Sequence, residues 1–188
     1  MMPGPGEGVS PYSLLREMES TAVSIVGEDQ QNEEQGQHRT LAFELQGMGI
    51  VCDMGEIAQV APCPVVTPVP QTKEWVRGVC NIRGTIYSVA DLALFAGSIK
   101  SVPLEAGHLV LVNHPDMSVA LLVNNVIGFR HFDPSSLQKV DDESVEFKQG
   151  QAGDLDQFVR GYYYQSDKIW FVVDLQALVS SNRFREVQ

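Results

Sequence analysis

The stretch GVCNIRGTIYSVADL at residues 78–92 decides the fold, because a related stretch, GYYYQSDKIWFVVDL, occupies residues 161–175. Each stretch has two short apolar runs separated by turn-forming residues, which is the pattern of a β-hairpin. Each ends on an aspartate followed by a leucine, and aspartate commonly caps the first turn of a helix. The chain is therefore predicted to use the same hairpin twice.

The similarity extends beyond the two hairpins. Residues 75–95 align with residues 158–178 without gaps and are identical at seven of 21 positions. Two short β-type runs precede each copy, TLAFEL and GIVCDM before the first, HLVLVN and SVALLV before the second. About five short strands in each half suit a small curled barrel. The repeat predicts a mainly β protein of two similar barrels packed together, with the groove between them as the binding surface. The alternative is a single sandwich of about ten strands with accidental similarity.

The first 38 residues differ from the remainder of the chain. They carry seven acidic residues against one base, Arg16. Ser10-Pro11, followed by apolar side chains at spacings of three and four, predicts an amphipathic helix at about 11–26. We therefore expect a flexible N-terminal segment with this helix at 1–38, and a domain of two β-barrel subdomains at 39–188.

Charge and motifs exclude several classes of function. The net charge of −11 argues against nucleic acid or an anionic membrane as a partner. The first residues show neither the basic nor the apolar region of a signal peptide, and no apolar run approaches the roughly 18 residues of a membrane helix. We therefore expect a cytoplasmic protein without direct membrane insertion. The histidines and cysteines lack metal-ligand spacing, and nucleotide and nucleophile motifs are missing, so we expect no catalytic residue, no metal and no cofactor. The enzymatic alternative is a thiol enzyme built on Cys52 and Cys80.

The two hairpins differ most at their tips. The first tip reads Asn81-Ile82-Arg83-Gly84, and the second reads Tyr164-Gln165-Ser166-Asp167. Positions that the copies share are expected to serve the fold, whereas a tip that differs can take a specialised role. Arg83 could bond carbonyls nearby as a turn residue, or it could present its forked donor to a partner.

Five short motifs, in this order and spacing, resemble the CheW family of bacterial chemosensory adaptors: Glu56–Val60, Thr67–Pro70, Trp75–Val79, Asn81–Gly84 and Val89–Leu92. The resemblance runs from about Arg39 to Val179. Three further motifs are most similar to the PilI-type branch, which serves the pathway that controls type IV pili and twitching: Met54–Glu56, Lys73–Trp75 and Ile127–Phe132.

This resemblance implies two intertwined, five-stranded SH3-like barrels and no catalysis. It implies an adaptor that bridges two partners, the regulatory domain of a CheA-type histidine kinase and the cytoplasmic tip of a methyl-accepting chemoreceptor. Such an adaptor would be cytoplasmic and associated with membrane chemoreceptor arrays. Flagellar chemotaxis is the alternative output to twitching.

The resemblance also implies where the receptor binds. The family's receptor site lies in the groove between the barrels, which carries over to Ile57, Gln59, Arg83 and the strand Val119-Ala120, and Asn81 shares the tip with Arg83. The family often has glutamate where Gln59 stands, so the resemblance gives no support for a salt bridge there. Ser88-Val89-Ala90 also departs from the family, which prefers bulkier apolar residues with proline. Kinase contact is implied on exposed surface and loops of the first barrel.

Overall fold

The computed structural model describes residues 38–139 and 153–187, which form two five-stranded sheets. The strands are β1 (His38–Leu45), β2 (Met48–Asp53), β3 (Ile57–Pro62), β4 (Val76–Ile82), β5 (Thr85–Asp91), β6 (His108–Val112), β7 (Val119–Val123), β8 (Asn125–Phe132), β9 (Val159–Gln165) and β10 (Lys168–Val173). The short α-helices are α1 (Leu92–Phe95), α2 (Leu175–Ser180) and α3 (Asn182–Arg185). The mainly β fold class is confirmed, whereas the helix expected at 11–26 lies outside the described residues. No helix in the described part is long and apolar enough to cross a membrane.

Each sheet is built from strands of both sequence halves. Sheet A has the order β8-β1-β2-β10-β9, so three strands of the second half complete the β1–β2 pair of the first half. Sheet B has the order β3-β6-β7-β5-β4, in which the roles of the halves are reversed. The strands β10 and β2, and likewise β5 and β7, pair in parallel. The two barrels are therefore intertwined, as the family resemblance implies.

An arginine and an aspartate form the same ion pair in both repeats. Arg77 binds Asp91 with Nη1 and Oδ2 3.1 Å apart, and at the equivalent positions Arg160 binds Asp174 with Nη2 and Oδ2 2.5 Å apart. Both aspartates also accept backbone N–H groups of the helix that follows, α1 or α2. These shared residues hold each hairpin to its helix, so they serve the fold.

The glycine shared by the repeats is explained by a chain segment that covers the outer edge of each hairpin. A Cβ added to Gly78, whose φ is +132°, would lie 2.1 Å from the carbonyl oxygen of Thr67. Thr67 exchanges two backbone hydrogen bonds with Val79, of 2.8 and 2.9 Å. A Cβ on Gly161 would lie 2.5 Å from the carbonyl oxygen of Gln138, which covers β9 in the same way. Only glycine permits this close approach.

The two sheets share most of one hydrophobic core. The larger buried cluster contains side chains from β1 and β2 in sheet A, from β5, β6 and β7 in sheet B, and from the helices. All five residues of β7 are buried, because this strand is covered on both of its faces. A smaller cluster belongs to sheet A alone and contains Ala42, Val51, Phe132, Tyr163 and Trp170. Burial of this apolar surface is the main force that holds the sheets together.

Glu56 anchors the crossover from sheet A to sheet B. It lies in the short 3₁₀ turn Met54–Glu56 between β2 and β3, and it is buried. Its Oε2 accepts the backbone N–H of Leu175 at 3.3 Å, and its Oε1 is 4.0 Å from Nη2 of Arg160. The turn that joins the sheets is thus tied to the start of α2.

We expect Glu56→Gln to flatten the pH dependence of stability. Burial, helped by the nearby carboxylate of Asp174, raises the pKa of Glu56 and outweighs the opposite effects of the Leu175 N–H and Arg160. The folded state then holds the proton more tightly than the unfolded chain, where glutamate titrates near pH 4.3. This group therefore contributes stability below about pH 4 that is lost as pH rises through its folded pKa. Urea unfolding from about pH 4 to pH 7 measures the slope.

Asp174, which shares Arg160 with Glu56, provides a comparison for that experiment. Burial alone would raise its pKa, but hydrogen bonds from the Ala177 N–H and from Arg160 lower it overall. Its own contribution is therefore lost only as pH falls below about 4. Because Asp174 also helps to raise the pKa of Glu56, Asp174→Asn should change the acid limb and reduce the slope at higher pH, whereas Glu56→Gln should remove that slope. An unchanged slope in Glu56→Gln between about pH 4 and pH 7 would contradict the assignment.

Candidate functional site

An apolar groove of about 520 Å³ lies along β4 and β5 of sheet B. Valines from β4, β5 and β7 form its floor, among them Val79 and Val119. One wall comes from the connection before β4, where Trp75 stacks on Phe184 with ring centroids 5.0 Å apart. The C-terminal residues Phe184, Arg185 and Val187 complete that wall. The groove thus follows one sheet and borrows a wall from the end of the chain.

Ser88 keeps the middle of the groove open. It is exposed, and the strand register places it between Val79 on β4 and Val119 on β7. At the equivalent positions of the second repeat stand Phe171 and Tyr162, which are much larger than Ser88 and Val79. β5 pairs regularly with β7 along this segment, so the departure from the family at Ser88 changes side-chain volume and leaves the strand intact.

Arg83 occupies the first position of a two-residue hairpin turn. Arg83 has φ 53° and Gly84 has φ 88°, the conformation of a type I′ turn. Asn81 serves this turn, since its Oδ1 accepts the Gly84 N–H at 2.9 Å. Within the part of the chain that the structure describes, the guanidinium of Arg83 makes no hydrogen bond or ion pair, and the residue is exposed. Its forked donor is therefore available to a partner.

The hairpin tip continues the groove. Val79 and Ser88 line the groove, and the next pair on the same face is Asn81 with Ile86. Ile86 is 56% exposed, which is high for a large apolar side chain. Arg83 follows directly at the turn. A strip of residues, with Ile86 as its exposed apolar member, thus runs from the groove to the free cation of Arg83.

Of the other expected site residues, Ile57 and Gln59 lie apart from this strip. Ile57 and Gln59 are half-buried on β3, the edge strand of sheet B opposite to β4. Val119 lines the groove with 5% of its surface exposed, whereas Ala120 is completely buried behind it. Of the six expected residues, only Val119 lines the groove itself.

The C-terminal wall has no counterpart among the residues expected from sequence. Phe184 and Val187 follow the second repeat and show no pattern that would place them beside β4. The backbone hydrogen bond from Lys73 N to Val187 O, 3.0 Å long, creates this contact between distant parts of the chain.

The three cysteines lie in environments that disfavour the thiolate form. Cys52, Cys63 and Cys80 are free thiols. Burial raises the pKa of all three, and Glu56 and Asp53 raise that of Cys52 further. Because the thiolate is the nucleophile, raised pKa values argue against the thiol-enzyme alternative.

Comparisons with known proteins agree with this fold. The family model described as the CheW-like domain matches residues 39–183. Protein PilI of Pseudomonas aeruginosa is 28% identical over 179 residues, which are 95% of this chain and 96% of that protein. Chemotaxis protein CheW of Thermotoga maritima is 32% identical over 88 residues, 47% of this chain and 58% of that protein.

A solved structure has the same architecture. The scaffolding protein TtCheW from Thermoanaerobacter tengcongensis superposes with a TM-score of 0.65, covering 78% of this chain and 90% of that one, at 22% identity. The shared fold includes the two sheets described above. The match to PilI over nearly the whole chain agrees with the PilI-type branch suggested by the sequence motifs.

Proposed function

The chain belongs to the CheW-like family of chemosensory adaptor domains, and we propose that it couples chemoreceptors to a CheA-type histidine kinase. In this proposal the chain is a non-catalytic, cytoplasmic adaptor at membrane receptor arrays, and its pathway controls type IV pili. The similarity to PilI along nearly the whole chain supports the pilus output. One structural observation supports the adaptor role most directly: an open apolar groove leads towards the free guanidinium of Arg83.

The groove suits a helical receptor tip. An amphipathic helix binds a protein groove through apolar side chains on one face, and valines form the floor here. Arg83 at the end of the strip can set the register of that helix by bonding a carboxylate or carbonyls at its side. The kinase would use other surface, so that both partners bind at once.

Co-purification tests the adaptor role directly. A tagged full-length chain is used to capture partners from its native lysate at low salt, and mass spectrometry identifies them. We expect a CheA-type kinase and a chemoreceptor, together with pilus-pathway proteins. Recovery of flagellar chemotaxis proteins in their place would favour the alternative output. If neither a kinase nor a receptor is recovered, the adaptor role is wrong.

Arg83→Ala should weaken receptor binding about tenfold, because a charge-assisted contact at the edge of the groove is lost. Stability should hardly change, since the side chain is exposed and bonds nothing in the described part of the chain. Titration calorimetry with a soluble receptor-tip fragment measures the affinity. Thermal unfolding measures the stability.

The second repeat offers a matched control for Arg83→Ala. Ser166 has φ 55° at the same position of the other hairpin turn. Ser166→Ala therefore places alanine in the same backbone conformation, but at a residue that does not line the groove. Arg83→Asn is a further variant, because asparagine tolerates a left-handed conformation. Equal receptor affinity of the wild type and both Arg83 variants would refute a contact at this position.

A further inference from the structure

Most arginines in residues 38–139 and 153–187 are bound within their own chain. Arg77 pairs with Asp91, Arg160 with Asp174, and Arg183 with Asp154, while Arg130 lies over the ring of Trp170 and Arg39 over that of Phe129. In the same part of the chain, the guanidinium groups of Arg83 and Arg185 have no such contact. The two free arginines are both associated with the groove.

Of the described residues that line the groove, Arg185 is the single charged one. It follows Phe184, which stacks on Trp75, and so it stands at the end of the groove near the start of β4. Arg83 marks the opposite end, seven residues beyond Val76 along β4 and its turn. At about 3.3 Å per residue, this separates the two ends by roughly 23 Å.

The backbone around Arg185 is held in place, although the Arg185 side chain itself is free. Lys73 N donates to Val187 O at 3.0 Å, and the Ser181 hydroxyl caps α3 by accepting the N–H of Phe184 at 3.3 Å. Arg183, two residues before Arg185, is held by Asp154 and by the carbonyl of Phe95. A cation on a fixed backbone loses less entropy on binding than one on a mobile tail.

We propose that Arg185 is a second cationic contact for the partner in the groove. This inference rests on the proposed function and specifies the occupant: a helical segment of a receptor tip whose apolar stripe has an acidic residue near each end. At 1.5 Å rise per residue, roughly 23 Å corresponds to about 15 residues of helix between those acids.

Charge complementarity supports an acidic occupant. The chain carries a net charge of −11, so its overall field repels an acidic partner. Among residues 38–139 and 153–187, no acidic side chain lines the groove and none neutralises the cations at its two ends. The groove is therefore where an acidic helix can approach with favourable electrostatics.

The test uses the full-length chain and a soluble fragment of a chemoreceptor cytoplasmic hairpin from the same genome. Titration calorimetry at two salt concentrations gives the dissociation constant of the wild type, Arg185→Ala, Arg185→Glu and Lys139→Ala. We expect Arg185→Ala to raise the dissociation constant about fivefold and to weaken its salt dependence, with a larger loss for Arg185→Glu. Lys139→Ala removes an exposed cation that does not line the groove, and its affinity should match the wild type.

The outcomes separate this inference from the function on which it rests. If the wild type binds and Arg185→Ala binds equally well, the second contact is refuted and the adaptor proposal stands. Equal losses in Arg185→Ala and Lys139→Ala would also refute it, because the effect would then be one of net charge. If the wild type does not bind the fragment, the proposed function and this inference both fail.

Discussion

Asp91→Ala is expected to lower the free energy of unfolding by about 4 kcal/mol, because it breaks a buried polar network. Asp91 is completely buried. Its Oδ1 accepts the N–H groups of Ala93 and Leu94 at 3.0 and 3.1 Å, and its Oδ2 accepts the N–H of Val102 at 2.8 Å. Removal of the carboxylate leaves these donors and the charge of Arg77 without their partner. Urea denaturation at neutral pH measures the loss.

The equivalent residue of the second repeat is the control. The Asp174 side chain is 17% exposed and its partner Arg160 is 57% exposed, so water can replace much of what Asp174→Ala removes. We expect a loss of about 1.5 kcal/mol for Asp174→Ala, mainly from the helix cap. Similar losses for the two variants would show that burial does not distinguish the two ion pairs.

Ser88→Phe should reduce receptor binding at least about twentyfold, because it places in the groove the residue that the second repeat carries at the equivalent position. The phenyl ring would lie between Val79 and Val119. It would fill the part of the groove in which the apolar face of the proposed partner helix binds. The free energy of unfolding should change by less than about 1 kcal/mol, since Ser88 is exposed. Calorimetric titration with the receptor-tip fragment measures the effect.

Two control variants separate groove filling from other effects of Ser88→Phe. Ser88→Ala keeps the side chain small and should bind as the wild type does. Thr85→Phe adds a ring to the same strand, and its register with Ile82 places it on the face opposite to Ser88. Retained binding in Ser88→Phe, or an equal loss in Thr85→Phe, would mean that the receptor docks elsewhere.

The hairpins and their helices can be predicted from sequence because their signals are local. Alternating apolar residues, turn residues and a capping aspartate all lie within about 20 residues of one another. The strands β3 and β8 are harder to recognise. β3 ends in Pro62 and continues into a proline-rich connection, and β8 contains a bulge at Gly128, where φ is 119°. β3 pairs with β6, and β8 pairs with β1, so each lies beside a strand from the other half of the sequence. No local pattern contains such distant pairing.

The candidate site is only partly predictable for the same reason. Arg83 stands out because the repeat leaves its tip unshared, and Val119 enters through the family resemblance. Arg185 and Val187 join the groove because Val187 accepts a backbone hydrogen bond from Lys73 and Phe184 stacks on Trp75. Both contacts link residues more than a hundred positions apart. The structure adds to the account of Asn81, since its amide oxygen accepts the Gly84 N–H and so stabilises the turn that carries Arg83.

The exchange of strands between the sheets also has a mechanical consequence. The chain passes from one sheet to the other after β2 and again after β7, so two covalent links and a shared core connect them. Such a body lacks the single flexible link that lets two domains swing about a hinge. We therefore expect sheets A and B to move together, so that a force applied to sheet B by a partner in the groove is transmitted to sheet A.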